Sequence, residues 1–218
     1  MWMLRTISKD YETAYRRYMW FLTQFNDQLG VGGWDNQIPE MAFNFLRDEG
    51  LNPQHTLLDI GCGKQRLGRY FVRYLESGNY FGIDISPAAI DTGKEILSEE
   101  GLLNKKSHLS VNNNLKFEEF NGMTFDYLLA FSVFTHLKRD QIQESFQNIS
   151  KIMDDNTAFY FNYNENRPEL KASAKSFEYE ASELIEMAEL SGLCVQSVES
   201  DIYKESLIDK PMLRATLM

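Results

Sequence analysis

The sequence is poor in cysteine, with only Cys62 and Cys194, which excludes a disulfide framework and offers no metal-ligand spacing. Each cysteine reads as an ordinary buried thiol, and no metal site is expected. No apolar run approaches the roughly 20 residues that span a bilayer. The opening Met1-Trp2-Met3-Leu4-Arg5 lacks the apolar stretch of a signal peptide. These absences predict a soluble, cytoplasmic protein without a membrane partner. Basic charge is also short: 22 Lys and Arg stand against 32 Asp and Glu, a net charge of −10. That balance argues against nucleic acid, whose phosphates need a basic field. There is no low-complexity segment and no repeat of fixed period. What is present is 218 residues that are 43% hydrophobic, enough for one sizeable core in one domain or one domain with an appendage.

Residues 1–50 read as a helical cap. Tyr11, Tyr15, Tyr18, Leu22 and Phe25 recur at helical spacing, and the run Gly30-Val31-Gly32-Gly33 then breaks the pattern. Asp35 or Asn36 is placed to cap a second helix with Pro39 near its start and Ile38, Met41, Ala42, Phe45 and Leu46 as its stripe. Residues 51–218 follow a different grammar, with apolar runs at 56–60, 80–85, 109–111, 125–131, 158–163, 193–198 and 212–218 separated by helical patterns. Such alternation implies an α/β, doubly wound, Rossmann-like fold: a mostly parallel sheet covered on both faces. The short link between the last two runs predicts an antiparallel final strand. The polar stretch 164–177 follows the fifth strand and reads as a loop or lid at the ligand edge.

The densest signal is Leu57-Leu58-Asp59-Ile60-Gly61-Cys62-Gly63-Lys64, an apolar strand ending in an acid, with two glycines then opening a helix expected to run to about Leu75. Glycine lets the backbone turn sharply and approach a ligand. The second strand, Tyr80-Phe81-Gly82-Ile83-Asp84-Ile85, ends in an acid about twenty residues later, the distance at which a carboxylate accepts ribose hydroxyls. Asp84 also suits a helix-capping role beside Ser86-Pro87. A dinucleotide fingerprint is incomplete, because its last glycine is Arg66 here. Asp59 would repel a pyrophosphate and suits a cationic ligand instead.

These two segments resemble the first two motifs of class I S-adenosylmethionine-dependent methyltransferases. Phe125-Asp126-Tyr127, leading into Phe131-Ser132-Val133-Phe134-Thr135-His136-Leu137, is similar to the fourth-strand motif of bacterial small-molecule members. The resemblance implies a seven-stranded sheet with an antiparallel last strand, and S-adenosyl-L-methionine as cofactor. One departure is Gln65, where the family often has a third glycine. By this resemblance Asp59 and Gly61 lie beside the methionine portion, Asp84 holds the ribose, and Cys62, Gly63, Ile85, Phe131 and Ser132 line the cofactor. Asn112, Asn113 and Asn114 fall where adenine is met, with Asn113 singled out. His136 falls beside the transferred methyl group as the candidate catalytic residue, either a substrate contact or a general base. Arg66 is a candidate carboxylate contact, and Tyr15, Tyr18 and Trp34 are candidates for covering cofactor and substrate. For the tyrosines, core packing explains the same spacing.

The function implied is methyl transfer to an oxygen, nitrogen or sulfur nucleophile of a small molecule. A cofactor-binding sensor or scaffold without turnover, or an NAD-dependent enzyme, are the competing readings. A homodimer is compatible with all three.

Overall fold

The computed structural model describes residues 37–165, 177–202 and 210–218. Most of the helical cap, including Tyr11, Tyr15, Tyr18 and Trp34, lies outside these residues, as does the body of the expected lid. The second cap helix, α1 (Gln37–Asp48), carries Pro39 in its first turn and buries Pro39, Ala42 and Leu46. Among the described residues no helix is long and apolar enough to cross a membrane.

The remaining elements alternate as expected: β1 (Leu57–Ile60), α2 (Gly68–Tyr74), β2 (Tyr80–Asp84), α3 (Pro87–Glu99), β3 (His108–Val111), β4 (Tyr127–Ala130), α4 (Arg139–Ile149), β5 (Ala158–Asn162), α5 (Ala181–Glu189), β6 (Leu193–Val198) and β7 (Met212–Leu217). The seven strands form one sheet in the order β3-β2-β1-β4-β5-β7-β6. Strands β1 to β5 pair in parallel, and β7 runs antiparallel between β5 and β6. Every residue of β1, β4 and β5 is buried. This is why they read as continuous apolar runs rather than as alternating ones.

Side-chain alternation splits the core into two layers. Leu128 and Ala130 of β4, with Phe159 and Phe161 of β5, face one layer with Ile142 and Phe146 of α4 and Leu184 of α5. Tyr127, Leu129, Ala158 and Tyr160 face the other with Leu46 of α1 and Phe71 of α2. Helices therefore cover both faces, and the direction of winding reverses between β1 and β4. Ligands of open α/β sheets sit at such a reversal, beyond the carboxyl ends of the strands.

Three local expectations are corrected. The glycine turn does not open directly into a helix: α2 begins only at Gly68, because Gln65 takes a left-handed φ of +63° that a helix cannot contain. Cys194 is exposed, since β6 is the sheet's edge strand, while Cys62 is buried. The third strand starts at His108, one residue before the apolar run at 109–111.

Candidate active site

The turn after β1 is fixed by β2. The peptide N–H groups of Gly61 and Cys62 both donate to the Ile83 carbonyl, at 2.8 and 3.0 Å. Gly61 has φ +74°, and a Cβ there would lie 2.5 Å from Cγ2 of Val133. Only glycine combines that backbone with that neighbour. Gly61 is exposed, so its backbone is open to a ligand, whereas Gly63 and Cys62 are buried. Burial, reinforced by the charges of Asp59 and Asp84, pushes the Cys62 thiol well up, which leaves it an unreactive packing group.

Gln65 is fully buried. Its side chain fills space left by two other glycines: a Cβ on Gly68 would meet its Oε1 at 2.1 Å, and one on Gly93 its Cγ at 2.8 Å. The missing third glycine of the turn is thus compensated by glycines on α2 and α3.

The two acids of the motif differ in placement. Asp84, half-buried at the end of β2, accepts from Gly63 N–H (3.0 Å) on Oδ2 and from Ser86 N–H (2.8 Å) on Oδ1. Each oxygen keeps a second lone pair for a ligand hydroxyl. Burial raises the Asp84 pKa, and the two peptide bonds oppose that shift. Helix capping falls instead to the Ser86 hydroxyl, which accepts from Ala89 N–H at 3.2 Å, with Pro87 opening α3. Asp59 is 2% exposed and lies beneath the turn, accepting the Tyr80 hydroxyl at 2.6 Å. Burial pushes its pKa up to about 7, the Tyr80 hydrogen bond lowering it and the Asp84 charge raising it further. A cation arriving above would favour its ionised form.

A second turn follows β4. Ser132, at φ +62°, donates its peptide N–H to Oδ1 of Asn162 at the end of β5 (2.5 Å), and its carbonyl accepts the Thr135 hydroxyl at 3.0 Å. A short helical turn, Phe134–His136, comes next. Phe134 anchors it, its ring 4.9 Å from Phe161 and 5.2 Å from Phe146. His136 ends that turn, half-buried, its peptide N–H donating to Val133 O at 2.8 Å. Phe131 and Ile85 are half-buried at the ends of their strands. The end of the 164–177 segment returns here, Phe177 N–H donating to Thr135 O at 2.8 Å.

After β3, Asn112 is engaged with Glu119 and with Leu115 N–H, and Asn114 with Lys116 N–H. Asn113 is exposed. Arg66 is half-buried between the glycine turn and α2, its pKa lowered by burial and by Arg69. The structure thus brings Gly61, Asp84, Asn113, Ser132 and His136 to one edge of the sheet and sets Asp59 under it. It also adds Asn162 and Lys210, which no sequence signal marked. Lys210 donates from Nζ to the Ser132 hydroxyl at 3.1 Å.

An open glycine turn over a buried carboxyl, with a second carboxylate one strand away, fits a nucleoside that carries a cation. Residues 58–159 match the family model of a methyltransferase domain. Among solved structures, magnesium protoporphyrin IX methyltransferase (ChlM) from Synechocystis PCC 6803, with bound S-adenosylmethionine, superimposes with a TM-score of 0.71 at 14% identity over 97% of this chain and 99% of that one. An S-adenosylmethionine-dependent methyltransferase from Clostridium acetobutylicum gives 0.67 at 12% identity, covering 90% and 97%. The mitomycin 7-O-methyltransferase MmcR gives 0.69 at 16% identity, covering 92% and 60%. At these identities the likeness is one of fold. Uncharacterized protein RP028 of Rickettsia prowazekii is 26% identical over 119 residues, 53% of this chain and 46% of that protein, so the match spans about half of that curated relative.

Proposed function

We propose that this chain transfers the methyl group of S-adenosylmethionine to an oxygen, nitrogen or sulfur atom of a small molecule. The observation that carries the reading is the meeting of two turns at the winding reversal, where Val133 of the β4 turn packs on Gly61 of the β1 turn. A methionine portion seated on Gly61 would present its methyl group toward Ser132 and His136. Asp84 takes the ribose hydroxyls and Asn113 the adenine edge. Cys62, Gly63, Ile85 and Phe131 shape the wall, and Asp59 supplies negative charge beneath it. The cofactor brings an electrophilic methyl group, so the protein's task is to align the acceptor and exclude water. Proximity of this kind supplies about 7–11 kcal/mol in well-oriented intramolecular reactions.

His136, half-buried at the end of the second turn, is assigned to contact the acceptor, with Arg66 as a second contact across the glycine turn. Tyr15, Tyr18 and Trp34 are assigned to cover the site. A small acceptor is supported by the net charge of −10, which disfavours nucleic acid, and by the neighbours, whose names give magnesium protoporphyrin IX, mitomycin and a glycopeptide as methylated molecules. Calorimetry is the test. Micromolar binding of S-adenosylmethionine and of S-adenosylhomocysteine, without binding of NADH, is the expected result. Absence of binding by both sulfur compounds would remove the reading.

A further inference from the structure

Lys210 lies two residues before β7, yet it reaches the turn after β4. Ser132 and Lys210 are 78 positions apart in the chain. They meet because β7 is inserted next to β5, with Met212 paired to Asn162 at the carboxyl end of that strand. The residues entering β7 therefore cross the edge that carries the glycine turn. Ser132 is held from its other side by Asn162, whose Oδ1 accepts its peptide N–H at 2.5 Å. The left-handed φ of +62° at Ser132 is thus fixed by two neighbours, one on its peptide and one on its hydroxyl.

Asn162 itself is fully buried, and its Nδ2 has no hydrogen-bond partner among the described residues. Buried amide donors are rarely left unsatisfied, and a ligand oxygen is one way to satisfy this one. Lysine, serine hydroxyl and amide donor therefore gather at the end of β4 and β5, one residue from the valine that packs on Gly61.

Resting on the methyl-transfer reading above, we propose that Lys210 is a catalytic residue that removes the proton from the acceptor, and that the acceptor is a phenolic or enolic hydroxyl. The acceptor's O–H bond breaks toward the lone pair of the neutral lysine amine. The oxygen pair left behind forms the new bond to the methyl carbon as the sulfur–methyl bond breaks. One positive charge enters as the sulfonium and one leaves as the lysine ammonium. Ser132 and Asn162 act as positioning residues, the first aiming the amine and the second fixing the turn.

The acceptor class follows from matching acidities. Burial lowers the Lys210 pKa to about 8, so about a tenth of the amine is neutral at pH 7. A phenol of the tyrosine kind titrates near about 10, within reach of such a base, whereas a carboxylate is already ionised and needs none. Among the described residues, the other ionisable side chains on the neighbouring elements include His136 after β4, Tyr160 in β5, Tyr163 and Glu165 after β5, Glu199 and Asp201 after β6 and Arg214 in β7. Of the described residues, Lys210 is the amine in contact with Ser132.

The probe is para-nitrophenol, whose phenolate absorbs visible light, titrated into protein saturated with S-adenosylhomocysteine at a pH below the probe's own pKa. The native complex should bind the probe as phenolate. Lys210→Met should abolish the phenolate band and weaken probe binding about tenfold, with S-adenosylhomocysteine affinity kept within about twofold. Lys210→Gln, polar and close in length, serves if the methionine variant does not fold. An equal band in variant and native protein, or no probe binding to the native complex, would overturn the proposal. Failure of native protein to bind S-adenosylhomocysteine would instead overturn the methyl-transfer reading.

Discussion

The Asp84 carboxylate accepts the Gly63 peptide N–H at 3.0 Å, so the side chain proposed to hold a ribose also ties down the turn proposed to hold the methionine portion. Its other oxygen holds Ser86 N–H at 2.8 Å. Asp84→Ala therefore removes ligand bonds and the support of the turn together. S-adenosylhomocysteine affinity should fall about ten- to a hundred-fold, equivalent to about 1.5–3 kcal/mol, as measured by calorimetry. Thermal unfolding should show a smaller loss, because the seven-stranded sheet does not depend on this turn. Unchanged affinity would put the ribose elsewhere.

Gly61→Ala asks whether the contact between the two turns matters. The substitution meets a left-handed backbone costing about 1–2 kcal/mol and a Val133 methyl 2.5 Å from the new Cβ. Lower melting temperature and weaker S-adenosylhomocysteine binding are expected. Adding Val133→Ala should restore part of the loss, the part due to the clash, and leave the backbone part. If the second substitution restores nothing, the turns do not press on each other.

Much of this was legible in the sequence because of how parallel sheets are built. Strands β1, β4 and β5 are buried on both faces, so each appears as an unbroken apolar run. The glycine turn and Asp84 are visible because backbone geometry dictates residue type there. Other features follow from the tertiary arrangement alone. Gln65 looks like a defect in the motif until Gly68 and Gly93 are seen to make room for it. Cys194 reads as buried because its strand is apolar, but an edge position exposes it. Lys210 carries no local signal at all, since its meeting with Ser132 depends on β7 pairing with β5 rather than with β4.

His136→Ala separates the two roles open to that histidine. As an acceptor contact, it should lower kcat/KM for an identified acceptor about tenfold, mainly through KM, and leave S-adenosylhomocysteine affinity unchanged. A fall in kcat of about 10²–10⁴ would return the proton-accepting role to His136. The same comparison made with Lys210→Met assigns the role to one residue or the other.

Asp59 makes stability depend on pH in an unusual direction. Its carboxyl is pushed from the ordinary value of 3.8 up to about 7, chiefly by burial. The folded protein therefore keeps a proton that the unfolded chain releases, and the unfolded state binds fewer protons between those two values. The stability this group contributes is complete below 3.8 and is lost progressively as the pH rises through 7. Asp59→Asn keeps a carbonyl oxygen for the Tyr80 hydroxyl but carries no charge. Its melting temperature should rise above that of the native protein as the pH is raised beyond 7, each kcal/mol amounting to about 2–4 °C for a chain of this size. The advantage should shrink at about pH 5, where the native carboxyl is itself protonated. The same variant should bind S-adenosylmethionine more weakly, since the negative charge beneath the turn is gone. Melting profiles that stay parallel from acid to alkaline pH would mean that Asp59 remains ionised in its buried site, held so by the Tyr80 hydroxyl.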